Sequence, residues 1–136
     1  MKNNQATVFL VEDDEIEAEA VHRAFYKLGI DNPICTARDG FEALKVLRGE
    51  ANKEITPPIL ILLDINMPRM NGHEFLAELR QDSVLSDTKV FVLTTSESQK
   101  DMDRAIDMNI EGYLSKENGL EQFETVRSTL SAMSLR

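Results

Sequence analysis

Cysteine and histidine are scarce in this chain, which contains one cysteine and two histidines in 136 residues. Cys35 therefore cannot form an internal disulfide, and we expect it to be a buried, unreactive thiol in a strand. This scarcity leaves no suitable set of cysteine and histidine ligands for zinc. We expect both His22 and His73 to lie on the protein surface.

Long hydrophobic runs are also absent, and the longest apolar stretch is far too short to cross a bilayer. The first five residues are polar and lead into a predicted strand, so they do not resemble a secretory signal. The sequence therefore predicts a protein that is not bound to a membrane. Together with the lone cysteine, this favours a soluble, cytoplasmic location.

Basic residues are few, since the chain has 15 lysines and arginines and 24 acidic residues, which gives a net charge of −9. A nucleic-acid surface needs clustered basic residues, so this balance argues against such a partner. It is compatible with a divalent cation or a basic protein surface. The length and the 42% apolar content suit one domain over residues 1–136, with a core at about 5–133 and no output domain.

Short apolar runs alternate with helical patterns along the whole chain. The predicted strands lie at residues 8–11, 34–36, 59–63, 89–93 and 112–115, and a helix with one apolar face follows each of them. This alternation predicts an α/β fold in which helices cover both faces of a parallel sheet. With strand order 2-1-3-4-5, the crevice lies between the carboxyl ends of the first and third strands.

One connection in this pattern is unusually long. The loop over residues 50–58 exceeds a typical connection between a helix and a strand. It is either a tolerated insertion or a contact for a partner.

Acidic residues end two of the predicted strands. Glu12 and Asp13 follow the first strand, and Asp64 follows the third. Each group alone has a simple explanation, because acids favour helix N-termini and aspartate is common where a strand enters a turn. Two buried strands that end in acids at one sheet edge are harder to explain by capping alone. We expect Asp13 and Asp64 to face each other.

Such a cluster of carboxylates requires a compensating charge. Two unit charges about 4 Å apart repel by roughly 4 kcal/mol at an effective dielectric near 20. Oxygen ligands favour Mg²⁺ or Mn²⁺, and a metal with open positions recruits phosphate. Asp64 could then act as a nucleophile toward phosphorus. Thr94 and Lys116 end neighbouring strands and could contact the phosphate oxygens, although each alone could be an ordinary strand-end or surface residue.

The sequence resembles the receiver domain of two-component response regulators over about residues 5–133. The similar segments are Val11-Glu12-Asp13-Asp14, residues 63–72 from Leu63-Asp64 to Asn71-Gly72, Leu93-Thr94, and Gly112-Tyr113-Leu114-Ser115-Lys116. The resemblance implies a flavodoxin-like doubly wound (βα)5 fold. It also implies phosphorylation by a histidine kinase or a phosphotransfer protein, with the chain catalysing only its own phosphorylation and dephosphorylation.

The resemblance also implies roles for individual residues. Asp64 would be the phosphoacceptor, and Glu12, Asp13, Asp64 and the backbone carbonyl of Asn66 would hold the metal ion. Thr94 would be the switch hydroxyl, Lys116 would pair with the phosphate, and Tyr113 would be the aromatic switch residue. The phosphorylated state would change protein contacts through the surface formed by the fourth helix, the fifth strand and the fifth helix.

Finer features are similar to a stand-alone subfamily that includes regulators paired with phytochrome-type kinases. These features are Arg38-Asp39-Gly40-x-Glu42-Ala43-Leu44, Leu47-Arg48-Gly49 and Leu93-Thr94-Thr95-Ser96. A homodimer through the last strand and helices is compatible with the apolar residues near the C-terminus. The kinase type and the dimer both stay hypotheses at this point.

One position departs from the family pattern, because Glu117 follows Lys116 where the family usually has proline. We expect a trans peptide bond and a reshaped loop there. The departure motivates an alternative, a pseudo-receiver that keeps the fold as a binding module without being phosphorylated. A second alternative is an aspartate-nucleophile phosphatase. Such enzymes usually have a second aspartate two residues after the first, where this chain has Asn66.

Overall fold

The computed structural model describes residues 5–65, 71–94, 99–115 and 119–133. Strands and helices alternate through this part of the chain, as the sequence predicts. The elements are β1 Thr7–Val11, α1 Glu15–Lys27, β2 Ile34–Ala37, α2 Gly40–Leu47, β3 Ile59–Asp64, α3 Gly72–Gln81, β4 Lys89–Thr94, α4 Gln99–Asp107, β5 Gly112–Ser115 and α5 Phe123–Met133, with a 3₁₀ turn Leu120–Gln122 before α5.

The five strands form one parallel sheet in the order β2-β1-β3-β4-β5, which confirms the predicted doubly wound fold. Val11 lies opposite Leu63, and Leu63 in turn lies opposite Val92. The last residues of β1, β3 and β4 therefore meet at the same edge of the sheet. Two apolar clusters cover the two faces of this sheet, so β1 is buried along its whole length.

Each face of the sheet has its own set of helices. The first cluster contains residues of α1 and α5, and Phe25 meets Phe123 edge to face with 6.0 Å between ring centroids. The second cluster contains residues of α2, α3 and α4. From α4 it includes Ala105 as a buried side chain. The sequence predicts that Met102, Ala105 and Ile106 form the apolar side of this helix, but Ile106 is 58% exposed, so the prediction is wrong for this residue.

Two further predictions on single side chains need correction. His73 is buried, with 6% of its surface exposed, whereas His22 is exposed as expected. At Gly72 the first turn of α3 packs directly against the backbone at the end of β3, and His73 is the next residue of this helix. Cys35 is partly exposed rather than buried, because β2 is an outer strand of the sheet.

The long loop over residues 50–58 contacts that outer strand through Lys53. The Lys53 ammonium donates a hydrogen bond of 2.7 Å to the Thr36 carbonyl oxygen and lies 3.6 Å from a Glu42 carboxylate oxygen. A carbonyl oxygen that is bonded in this way is not available for pairing with another chain. The loop therefore has a structural role in this fold, whether or not it also contacts a partner.

Arg80 lies near the C-terminal end of α3 and joins three segments of the chain. Its guanidinium donates to the carbonyl oxygens of Ser86 at 2.9 Å, Thr88 at 2.8 Å, Met108 at 2.8 Å and Asn109 at 3.0 Å. Burial lowers the pKa of Arg80 from the usual arginine value. This one side chain thus connects α3, the segment before β4 and the residues that follow α4.

Candidate metal site

The register of the central strands brings the acidic residues together. Glu12 follows the end of β1, and its backbone N–H donates to the Ala37 carbonyl oxygen at 2.9 Å, which extends the pairing with β2 by one residue. Asp64 is the last residue of β3. Because Val11 lies opposite Leu63, the next residues on the two strands, Glu12 and Asp64, are neighbours at the edge of the sheet.

Three carboxylates meet at this edge. Glu12, Asp13 and Asp64 each offer one oxygen, and these oxygens all lie within 4.8 Å of one another. Glu12 and Asp64 are each 4% exposed, whereas Asp13 is open to solvent. The predicted meeting of Asp13 with Asp64 is therefore confirmed. The cluster has two buried members and one accessible member, so an ion can approach it from the side of Asp13.

The chemistry of this donor set fits a hard divalent cation. All three groups are carboxylates, which are the ligands that Mg²⁺ and Mn²⁺ accept. At the observed spacing, each pair of carboxylate charges repels by roughly 3 kcal/mol at an effective dielectric near 20. A bound cation would offset this repulsion. The backbone N–H of Asp14 donates to Glu12 at 3.2 Å and helps to hold that carboxylate.

Asp14 has a different task from its acidic neighbours. Its side chain accepts hydrogen bonds from the backbone N–H groups of Ile16 at 2.8 Å and Glu17 at 3.3 Å, and it therefore caps α1. Capping thus explains one acid of the run after β1, as the sequence allowed. It leaves Glu12 and Asp13 for the cluster.

Gly72 fixes the backbone that carries Asp64, whereas the sequence identifies it only as the end of the segment that resembles the receiver family. Its N–H donates to the Ile65 carbonyl oxygen at 2.8 Å. A Cβ atom at this position would lie 2.5 Å from the Ile65 Cα atom and 3.1 Å from the Asp64 carbonyl oxygen. Only glycine therefore lets α3 begin so close to the end of β3. The signal in the sequence is a glycine at the first helical position, directly after the capping residue Asn71.

Replacing Gly72 with alanine is expected to lower the free energy of unfolding by about 2 kcal/mol, because the new methyl group overlaps backbone atoms that cannot rotate away. Urea unfolding in EDTA measures this change without a contribution from bound metal. Gly119→Ala is the matched control, since a Cβ atom there meets nothing within 4 Å. Equal stability of the two variants would contradict the close approach at Gly72.

The other predicted site residues divide into two groups. Thr94 ends β4, is fully buried, and directly follows Leu93, the residue opposite Asp64 in the sheet. Tyr113 lies in β5 opposite Val92 and is partly buried against the second apolar cluster. The predictions for Asn66, Lys116 and Glu117 lie outside the described residues.

No helix within the described ranges is both long enough and apolar enough to cross a membrane.

Comparison with known families gives a match over most of the chain. Residues 8–126 match the model described as the response regulator receiver domain. The chain is 34% identical over 120 residues to the response regulator Rcp1 of a Synechocystis species, and the match covers 88% of this chain and 82% of Rcp1.

Solved structures of similar proteins give the same result. A two-component response regulator from Legionella pneumophila is 40% identical, with a TM-score of 0.82 and coverage of 94% of this chain and 99% of the other. The phosphorylated cyanobacterial phytochrome response regulator RcpA is 31% identical, with a TM-score of 0.77 and coverage of 96% and 94%. The Mn²⁺-bound form of Rcp1 is 30% identical, with a TM-score of 0.75 and coverage of 96% and 93%.

Proposed function

Since the chain belongs to the response regulator receiver family, we propose that it accepts a phosphoryl group on Asp64 and signals through altered protein contacts. Members of this family are signalling proteins rather than metabolic enzymes. The observation that carries the proposal is the cluster of Glu12, Asp13 and Asp64, whose carboxylate oxygens lie within 4.8 Å of one another. One of its members, Asp64, ends the central strand of the sheet.

In the proposed reaction, a carboxylate oxygen of Asp64 attacks the phosphorus of a phosphohistidine on the partner. The new P–O bond forms as the P–N bond breaks, and the electron pair of that bond stays on the imidazole nitrogen, which then takes up a proton. Glu12, Asp13 and the backbone carbonyl of Asn66 would hold the metal ion together with Asp64. Bound Mg²⁺ or Mn²⁺ would supply positive charge that offsets the carboxylates and the phosphate oxygens.

Thr94 and Lys116 complete the proposed site. The Thr94 hydroxyl would donate to a phosphate oxygen, and the Lys116 ammonium would pair with another. Tyr113 would respond to the movement of Thr94, which lies two residues after Val92, the residue opposite Tyr113, and therefore on the same face of the sheet as Val92. Phosphorylation would then shift an equilibrium between two states of the surface around β5, to the extent that it stabilises one state more than the other.

We propose a histidine kinase or a phosphotransfer protein as the donor. The similarity to a phytochrome response regulator favours a phytochrome-type kinase. The Mn²⁺-bound relative supports a divalent cation as the cofactor, with Mg²⁺ as our proposal for this chain. A homodimer through β5 and the last helices remains part of this hypothesis, and size measurement in both phosphorylation states would test it.

Acetyl phosphate in the presence of Mg²⁺ tests the acceptor directly. We expect intact mass measurement to show one added phosphoryl group on the wild-type protein and none on Asp64→Asn. Asp14→Asn is the matched control, because asparagine caps a helix as well as aspartate does and Asp14 lies next to the site. We expect this control to be labelled like the wild type.

Two outcomes would count against the proposal. Equal labelling of Asp64→Asn and the wild type would reject Asp64 as the acceptor. A wild-type protein that takes no label and does not respond to Mg²⁺ would support the pseudo-receiver alternative.

A further inference from the structure

Gln122 holds the end of β5 by two hydrogen bonds to a single residue. The backbone N–H of Ser115 donates to Gln122 Oε1 at 3.2 Å, and Gln122 Nε2 donates to the Ser115 carbonyl oxygen at 2.6 Å. The side-chain amide thus contacts both backbone groups of Ser115. Ser115 is the last residue of β5 and directly precedes Lys116 in the sequence.

The position of Gln122 is itself fixed by the core. Gln122 is the last residue of the 3₁₀ turn, and Phe123 follows it at the start of α5. Phe123 is 7% exposed and packs on Phe25, and Val126 one turn later is fully buried. Because α5 is anchored on the core in this way, the backbone of Gln122 is held in place, and its half-buried side chain reaches from there to the end of β5.

We propose that Gln122 is a positioning residue for the chemistry at Asp64, because it fixes the point from which the chain continues to Lys116. The inference rests on the proposed function. The role proposed for Gln122 also concerns the position at which this sequence departs from the family pattern. Where the family usually has proline after the lysine, this chain has Glu117, which lacks the ring that restricts φ. The two hydrogen bonds with Gln122 instead hold Ser115, the residue before this lysine.

A role in strand capping alone makes a different prediction. In that case, removal of the amide would lower stability, but it would not change the rate of phosphoryl transfer in the folded protein, whether or not Lys116 is present. A positioning role couples the two residues, so the effect of losing the amide must disappear once the lysine ammonium is gone. A double-mutant cycle between Gln122 and Lys116 therefore distinguishes the two roles.

The test is the labelling rate with acetyl phosphate at saturating Mg²⁺, measured for Gln122→Met, Lys116→Met and the double variant. We expect Gln122→Met to slow labelling about tenfold, since small displacements of a catalytic group have effects of this size or larger. In the Lys116→Met background we expect the same change to have no further effect. Mn²⁺ affinity should stay within about twofold of the wild type, because the three carboxylates lie on other strands.

Two further variants sharpen the result. Glu121→Met changes the exposed neighbour in the same turn and should label like the wild type. Gln122→Glu keeps an acceptor for the Ser115 N–H but cannot donate to the Ser115 carbonyl oxygen, so we expect it to be labelled slowly as well. This second variant keeps the test valid if the methionine variant does not fold.

The inference would be overturned by wild-type rates in both Gln122 variants, or by an equal loss with and without Lys116. If the wild type itself takes no label, the proposed function fails and this inference fails with it. If the wild type is labelled and both Gln122 variants keep its rate, only the inference fails.

Discussion

Replacing Arg80 with methionine is expected to lower the free energy of unfolding by roughly 3 kcal/mol. The guanidinium donates to four carbonyl oxygens in two segments other than its own helix, and methionine fills a similar volume but donates to none of them. In the variant, the four carbonyl oxygens lose their charged donor but stay partly removed from water, and this loss lowers the stability of the folded state. Urea unfolding followed by circular dichroism measures the change.

Arg127→Met is the matched control for this prediction. Arg127 lies on α5 and pairs with Glu124 one turn away at 3.2 Å, in an exposed contact. Surface pairs of this kind contribute at most about 1 kcal/mol. Similar losses for the two arginines would show that the contacts of Arg80 do not join the three segments, and the role assigned to Arg80 would be wrong.

Arg80→Lys provides a second comparison at the same position. Lysine keeps the positive charge but has a single ammonium group, which cannot reach four acceptors in the fixed plane of a guanidinium. We expect most of the loss seen with methionine to remain. Full recovery by lysine would indicate that charge, rather than the geometry of the hydrogen bonds, stabilises this region.

Replacing Asp13 with asparagine is expected to have opposite effects on stability without and with a divalent cation. In EDTA the variant should be more stable than the wild type by about 1 kcal/mol, because one charge leaves a crowded cluster. Asp13 is exposed, and solvent screening keeps this gain small.

In saturating Mg²⁺ or Mn²⁺ the order should reverse. A ligand at a hundred times its dissociation constant stabilises the folded state by about 2.7 kcal/mol, and the variant should gain much less because one of three protein carboxylates is missing. Thermal unfolding in EDTA and across a metal titration measures both effects. Asp14→Asn should follow the wild type in both conditions, since Asp14 caps α1. If the order of wild type and Asp13→Asn does not change on adding metal, Asp13 is not a ligand.

The sheet and the acidic cluster could be predicted from the sequence for one physical reason. Strand runs such as residues 59–63 are buried on both sides, and an apolar run that ends in Asp64 marks where the strand leaves the core. Parallel connection then places Glu12 and Asp64 at one edge without any knowledge of side-chain packing. Pattern and topology were sufficient for this part of the site.

Other features depend on contacts that leave no periodic signal. Arg80 and Gln122 act on backbone groups far along the chain or across a turn, and nothing in their sequence neighbourhood marks them. His73 was expected at the surface because histidine is polar, but α3 begins close to the end of β3, and His73 is buried next to Gly72. Ile106 is the opposite case, because it was expected on the apolar side of α4 and is exposed. This helix is so polar that its buried face could not be located from periodicity alone.

A titration of the ¹⁵N-labelled protein with substoichiometric Mn²⁺ tests most directly whether Glu12, Asp13 and Asp64 hold one divalent cation. We predict that the amide signals of these three residues broaden first, while those of Thr7 and Ile59, at the opposite ends of β1 and β3, stay sharp. Asp13→Asn should need much more Mn²⁺ for the same effect. Broadening that spreads evenly over other acidic surfaces, or that Asp13→Asn leaves unchanged, would contradict a metal site at this edge of the sheet.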